Sequence, residues 1–359
     1  MKIAIILGTR PEIIKMSPII KECLKKKLDF FILHTNQHYS HDLDNIFFEE
    51  LQLPRPKYNL KVGSGTQAEQ TGKMMIGIEK VLTEERTEVI LVEGDTNTVL
   101  AGALTAVKLH IKVAHVEAGL RSYFNEMPEE INRLVADHCS DFLFAPTGEA
   151  KNNLVKEGIL KNKIFVVGNT IVDAIYNNLK LAESKSDILL KLNLKKKNYF
   201  LLTLHRQENV DNKERLCKIF QGIDLIHKKS DLIIVFPIHP RTKKRISEFG
   251  IEIPTGIKLI EPTGYLDFLQ LEKNTALVLT DSGGVQEETC ILGVPCVTLR
   301  DNTERSETLK VGSNILAGVE PKIILKSFSK MIYRKKNWKN PFGDGTSAKK
   351  IIKIILNGF

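Results

Sequence analysis

The sequence predicts an α/β protein of two doubly wound, Rossmann-like domains with parallel sheets, and three observations carry that prediction. The chain has 359 residues, beyond the size at which one hydrophobic core keeps growing. Short, near-continuous apolar runs alternate with helical patterns from end to end. Such runs mark strands covered on both faces by crossover helices. The alternation forms two series, separated by a polar, lysine-rich stretch at 185–198.

Taken in order, the strand-like runs of the first series are 3–7, 30–34, 89–92, 113–116, 142–145 and 164–167. Those of the second are 199–204, 232–236, 257–260, 276–279 and 296–299. Each is rich in Val, Ile, Leu and Phe and is followed by polar, Gly- or Pro-containing turns. Gly168-Asn169-Thr170 closes the first series. The expected first domain is 1–168 and the second 169–344, with 185–198 as a surface connection inside the latter. Residues 346–356 carry an amphipathic helical pattern through Ile351, Ile352, Ile354, Ile355 and Leu356. This helix, within 345–359, is expected to pack back on the first domain.

Composition excludes several classes. A 42% hydrophobic and 26% charged content is ordinary for a globular protein. No apolar run reaches the roughly 18 residues of a membrane-spanning helix. Arg10, Glu12 and Lys15 follow the first apolar run at once, so that run is read as a buried strand rather than a signal peptide. Cys23, Cys139, Cys217, Cys290 and Cys296 are scattered without a CxxC pair, which speaks for reduced thiols in a cytoplasmic protein. The net charge is +9. Lysine runs at 25–27, 195–197 and 349–350 read as solvated surface, and a positive cleft also suits an anionic small molecule. A nucleic-acid module is the rival reading, but the chain carries no recognition motif or aromatic stacking platform.

Ligands of open α/β sheets sit beyond the carboxyl ends of strands, so the residues after each run are the candidates. Gly8-Thr9-Arg10-Pro11-Glu12, with Lys15 a turn later, offers an anion site at a helix start. In Glu93-Gly94-Asp95-Thr96-Asn97, Asp95 is placed either to cap a helix or to act in catalysis. Glu117 ends a buried strand and needs a partner or a function, with Arg121 a candidate partner. Glu129 and Arg133 are spaced as an i,i+4 ion pair. Two strand-end turns, His205-Arg206 and His239-Pro240-Arg241, suit phosphates. The segment Thr280-Asp281-Ser282-Gly283-Gly284-Val285-Gln286-Glu287-Glu288 starts a helix after a strand. Its free N–H groups and hydroxyl suit a diphosphate, with Glu288 in reach of a ribose. No GxGxxG follows a strand, no P-loop is present and no His/Cys ligand cluster occurs, so neither a nicotinamide cofactor nor a metal is expected.

With these motifs in order, the chain resembles the non-hydrolysing UDP-N-acetylglucosamine 2-epimerases over nearly its whole length. The matching segments are GTRPEIIK from Gly8, NQH at 36–38, GDTNT at 94–98, HVEAGLR at 115–121, PEEINR at 128–133 and GNTIVDA at 168–174. HRQEN at 205–209, TDSGGVQEE at 280–288 and TERSE at 303–307 complete the set. The resemblance implies a GT-B-like fold with the active site in the interdomain cleft, UDP held mainly by the second domain, and a homodimer. It further implies reversible conversion of UDP-N-acetylglucosamine to UDP-N-acetylmannosamine, feeding surface polysaccharide. By position, Asp95, Glu117 and Glu129 match the family's catalytic acids and His205 its essential histidine. Arg10, Lys15, His38, Arg133, Phe268, Ser282, Gly283, Gly284, Glu288 and Arg305 match substrate-binding positions. Because C2 is not adjacent to a carbonyl, its proton becomes acidic only as UDP leaves C1, which points to elimination and re-addition. The hydrolysing relatives and GT-B glycosyltransferases are the enzyme alternatives.

Overall fold

The computed structural model describes residues 1–37, 47–124 and 126–358. Met1–Asn177 together with Phe342–Phe359 form one compact unit, and Asn178–Pro341 form a second.

The first unit carries a seven-stranded sheet: β1 (Lys2–Leu7), β2 (Asp29–His34), β3 (Tyr58–Asn59), β4 (Val89–Glu93), β5 (Lys112–Val116), β6 (Phe142–Ala145) and β7 (Ile164–Val166). Their order is β3-β2-β1-β4-β5-β6-β7, and every pair is parallel. Ile3, Ala4, Ile5, Ile6 and Leu7 are all buried, because helices cover both faces of this central strand. Chain order reverses between β1 and β4. Their carboxyl ends therefore diverge into helices on opposite faces and leave a crevice at the switch point.

The second unit repeats the winding with β8 (Phe200–Thr203), β9 (Ile234–Pro237), β10 (Ile257–Ile260), β11 (Leu277–Thr280), β12 (Cys296–Thr298) and β13 (Asn314–Leu316). The order is β10-β9-β8-β11-β12-β13, again parallel throughout. Its switch point lies between β8 and β11. One face is filled by Phe200, Leu202, Phe236, Leu279 and the helices Lys213–Ser230 and Pro321–Met331. The opposite face rests on Tyr199, Leu201, Val235, Val278 and Leu271.

All eleven expected runs contain or overlap strands. Two further strands, β3 and β13, are two and three residues long, too short for a periodic signal. The stretch 185–198 is more than a solvated connection. It holds a helical turn, Ile188–Lys191, whose Ile188 is buried, and Leu189, Leu192 and Leu194 pack on the apolar cluster around Tyr199.

The helix Ser347–Asn357 lies in the first unit and buries Ile351, Ile352 and Ile355. Asp173 accepts from the Ser347 and Ala348 N–H groups at 3.2 and 3.0 Å, so a distant carboxylate satisfies the exposed donors of its first turn. Among the described residues no helix is long and apolar enough to cross a membrane. All five cysteines are free thiols; Cys23, Cys290 and Cys296 are buried, and burial pushes each well above the ordinary thiol range.

Candidate active site

At the switch point of the first unit, the turn after β1 leads directly into the helix Arg10–Lys25, with Pro11 in its first turn. Gly8 is required there by close approach. A Cβ would come within 1.9 Å of Thr98 Oγ1 and 2.5 Å of Thr35 Oγ1. Glu12 turns back on this start and accepts from the Gly8 and Thr9 N–H groups at 2.5 and 2.8 Å. The Thr96 hydroxyl donates to its other oxygen. Burial nevertheless pushes the Glu12 carboxyl up to about 7, against the pull of those three donors, and the charge of Asp95 adds to the rise. Arg10 stacks its guanidinium over the Phe47 ring at 4.4 Å, which fixes a cation at the helix start.

One turn further along, Lys15 passes beneath the ends of β4 and β5. Its Nζ lies 2.5 Å from Glu117 Oε2 and 3.1 Å from Glu93 Oε1, with all three side chains at most 10% exposed. Asn169 Nδ2 also donates to Glu117 Oε2, at 3.0 Å. Glu117 has φ +68°. A non-glycine residue in the left-handed region at a strand end is held there only by its surroundings, and such residues gather at functional sites.

Asp95 does not cap the helix Asn97–Lys108; Thr96 occupies that position. The Asp95 carboxylate instead pairs with Arg133 Nη2, and its carbonyl accepts from Asn132 Nδ2 at 2.9 Å. Arg133 reaches Glu130 with its other nitrogen, at 2.5 Å, so the i,i+3 spacing prevails over the expected pair with Glu129. Glu130 is buried and bound by the Ser122 N–H, the Ser122 hydroxyl and the Tyr123 N–H. Glu129 is half-buried in the first turn of the helix Pro128–Cys139, without an ion-pair partner among the described residues.

Arg121 is not the partner of Glu117. It bonds Asp137 at 2.7 Å and Glu157 at 2.5 Å. Asp137 also meets His115 Nδ1 at 2.7 Å, while His115 Nε2 meets the Gly94 carbonyl at 2.8 Å. Burial alone would lower His115, but Asp137 and the Gly94 carbonyl raise it. Burial alone would raise Asp137, but His115 and Arg121 lower it. This closed ionic network ties the turn before Asp95 to the helix that carries Arg133.

At the switch point of the second unit, Asp281 follows β11 and is fully buried. It accepts from His205 N at 3.1 Å, Arg206 N at 3.0 Å and Asn209 Nδ2 at 3.2 Å. The turn after β8 is thus fastened to the end of β11. The His205 ring keeps its Nδ1 3.5 Å from Asp281, is 40% exposed and stands 6.0 Å from the His239 ring.

Ser282 stands at the N-terminal cap position of the helix Gly283–Leu292 without a side-chain bond to its first turn, and Glu288 of that helix is buried. Glu304 reaches the same place: a Cβ on Gly283 would stand 2.4 Å from its Oε1. Glu304 accepts from Arg300 at 2.9 Å and from Arg206 at 3.3 Å. Burial alone would raise Glu304, but Arg305, Arg300 and Arg206 hold it well below the usual carboxylate range. Arg305 lies 3.2 Å from Glu287. Phe268 packs on the apolar cluster of Tyr199 and Leu271. Helix start, glycines and guanidinium groups, groups of the kind that bind anions, thus meet in one corner of the second unit.

The structure thus gathers Lys15, Asp95, Glu117 and Arg133 with Arg10 at one switch point, and His205, Ser282, Gly283 and Arg305 at the other. His38 lies outside the described residues. Glu12, Glu93, Asp137, Asp281 and Glu304 were not singled out from sequence. Glu93 carried the same signal as Glu117, an acid closing a buried apolar run. Among the described residues no group of three His, Cys, Asp or Glu side chains is arranged for a metal ion.

Two parallel, doubly wound units, each with charged groups at its switch point, are of the GT-B-like class. Residues 21–356 match the family described as UDP-N-acetylglucosamine 2-epimerase; the chain belongs to this family and is an isomerase. A UDP-N-acetylglucosamine 2-epimerase from Methanocaldococcus jannaschii is 61% identical over the full length of both chains. The crystal structure of the enzyme from that organism in complex with UDP-GlcNAc and UDP superposes with a TM-score of 0.94, at 62% identity, covering 100% of both chains. The Neisseria meningitidis enzyme bound to UDP-GlcNAc has a TM-score of 0.91 at 34% identity, covering 99% of this chain and 100% of that one. A UDP-2,3-diacetamido-2,3-dideoxy-D-glucuronate 2-epimerase from Pseudomonas aeruginosa is 42% identical over 91% of each chain.

Proposed function

We propose that this isomerase interconverts UDP-N-acetylglucosamine and UDP-N-acetylmannosamine by eliminating UDP and adding it back. The observation that carries the reading is the division of labour between the two units. Carboxylates with cationic partners surround one switch point, and a glycine-rich helix start with guanidinium groups occupies the other. In the forward direction the C1–O bond breaks and its electron pair leaves with UDP. The C2 proton passes to a carboxylate, and the C–H electron pair becomes the C1–C2 double bond of 2-acetamidoglucal. Return of a proton to the opposite face of C2, with UDP re-adding at C1, gives the epimer.

Asp95, Glu117 and Glu129 serve the proton at C2. Arg133 orients Asp95, and Lys15 and Asn169 orient Glu117. His205, Arg305 and the helix start at Ser282, Gly283 and Gly284 serve the departing diphosphate, with Glu288 toward the ribose and Phe268 beside the base. Arg10 adds a cation to the sugar-side unit. Clustered acids raise one another's proton affinity, so one carboxyl donates while another accepts. The product is an activated sugar suited to transfer into a surface polysaccharide.

The test is turnover in D2O followed by NMR. UDP-GlcNAc alone should yield UDP-linked N-acetylmannosamine with deuterium at C2, with traces of UDP and 2-acetamidoglucal accumulating. Free N-acetylmannosamine as sole product, or product without solvent deuterium, overturns the reading. Turnover of UDP-2,3-diacetamido-2,3-dideoxy-D-glucuronate in place of UDP-GlcNAc reassigns the substrate.

A further inference from the structure

His115 stands near the end of β5 with no part of it exposed, and the chemistry above does not use it. Both of its ring nitrogens meet oxygen acceptors. Nε2 lies 2.8 Å from the Gly94 carbonyl. A carbonyl can only accept, so Nε2 carries a proton. Nδ1 lies 2.7 Å from Asp137 Oδ1. The other oxygen of that carboxylate accepts from the Gly119 N–H at 3.1 Å and from Arg121 Nη2 at 2.7 Å. Two lone pairs do not face each other at such a distance in a buried site, so a proton stands on the Nδ1 axis as well. Geometry therefore makes this pair an imidazolium bonded to a carboxylate.

The surroundings agree. Arg121, on the far side of Asp137, is itself bound by Glu157 at 2.5 Å, so two cations meet two anions. The positions beside His115 on β4 and β6, Val92 and Leu143, are apolar. What the ring holds is the turn that carries Asp95. Gly94 has φ +85°, a conformation that glycine adopts without strain. The turn is then bonded at successive points: the Gly94 carbonyl by His115, the Asp95 carbonyl by Asn132 at 2.9 Å, and the Asp95 carboxylate by Arg133. Asn132, Arg133 and Asp137 all lie on the helix Pro128–Cys139. Two of these residues reach the turn directly, and His115 relays the third.

We propose that His115 is a positioning residue for the reaction: as an imidazolium paired with Asp137, it clamps the Gly94 carbonyl and so fixes the peptide from which Asp95 projects. The inference rests on the reading of Asp95 as a proton-transferring group. Two substitutions separate the charge from the clamp. In Asp137→Asn the amide oxygen, in place of Oδ2, still accepts from Gly119 and Arg121, and the NH2 group, in place of Oδ1, donates to Nδ1. The ring is then neutral but keeps its Nε2 proton and its bond to Gly94. One cation and one anion are lost together, so the buried network stays balanced. His115→Phe keeps an aromatic ring and removes the clamp, leaving a carbonyl of the Asp95 turn without its donor.

Ring-nitrogen NMR of wild type should show, among nine histidines, one whose two nitrogens both hold exchange-protected protons at neutral pH. That signal should vanish in His115→Phe and become a neutral ring with a bare Nδ1 in Asp137→Asn. In His115→Phe kcat should fall by about ten- to a hundredfold, as it does when a reacting group is misplaced, with UDP affinity by calorimetry unchanged. Asp137→Asn, which keeps the clamp, should turn over at least about threefold faster than His115→Phe. Folded His115→Phe that turns over within about threefold of wild type overturns the proposal, as does a reversed or absent ranking of the two variants. If neither variant folds, the wild-type spectrum decides, and the absence of a histidine with both ring protons protected overturns it. Undiminished turnover by Asp95→Asn strikes the reading of Asp95 instead and leaves the ring spectrum standing.

Discussion

Replacing Asp281 should loosen the second unit and disable its histidine together. The carboxylate binds the N–H groups of His205 and Arg206 and the amide of Asn209, and no part of it is exposed. Asparagine with its oxygen in place of Oδ2 still accepts from Arg206 N and Asn209 Nδ2 and turns its NH2 group, in place of Oδ1, toward the His205 N–H. One of the three donors then loses its bond to a charged group, at about 1.5–3 kcal/mol. The expected destabilisation of Asp281→Asn is therefore about 1.5–3 kcal/mol. In a unit of this size each kcal/mol moves the melting temperature by about 2–4 °C, so the transition should fall by about 3–12 °C. Scanning calorimetry, with and without UDP, reads the shift. At a temperature where the variant is folded, kcat should also fall, because the backbone of His205 has lost its charged anchor. A variant that melts within about 2 °C of wild type and turns over normally would show that Asp281 does not hold this turn.

Glu12 gives a pH-dependent expectation. Its carboxyl is raised to about 7 by burial, so the folded state binds more protons than the unfolded state between about 4.5 and 7. Stability attributable to Glu12 is then greatest below about 4.5 and is lost as pH rises through about 7, by about 1.4 kcal/mol per pH unit. Urea titrations of wild type and Glu12→Gln should show the difference shifting toward the variant across that window, and a flat difference refutes the assignment. Gly8→Ala places a methyl group against Thr98 and Thr35 and should cost about 1–3 kcal/mol in the first unit. Thr98→Ala in the same chain should recover part of it, whereas an undisturbed melting curve for Gly8→Ala contradicts the close approach.

The sheets were legible because parallel strands covered on both faces leave continuous apolar runs, and the residues just beyond them fell at the switch points. What could not be read was the pairing. Lys15 meets Glu93 and Glu117 across 78 and 102 positions of sequence, and no periodicity encodes that meeting. Arg133 was assigned to Glu129 by helical spacing, yet Glu130 is one position nearer and Asp95 arrives from another strand. Arg121 was offered to Glu117 because the two are neighbours in sequence, but the helix Pro128–Cys139 brings Asp137 to it. Asp281 and Glu304 read as ordinary polar residues within longer motifs, and only the folded turns show that each is a buried hub. β3 and β13 are shorter than any window in which alternation can be counted.

The return of the chain to the first unit has a consequence for synthesis. Ile351, Ile352 and Ile355 leave the ribosome only after Asn178–Pro341 has been made. The unit begun first is thus finished last. Until then Asp173 lacks the donors it will bind, and the apolar surface meant for the last helix stays uncovered. The second unit can close while its host is still incomplete. A truncation before Ser347 should therefore act on the sheet containing β1, and a nascent chain stalled at Pro341 should present one folded unit beside one that still needs residues 342–359.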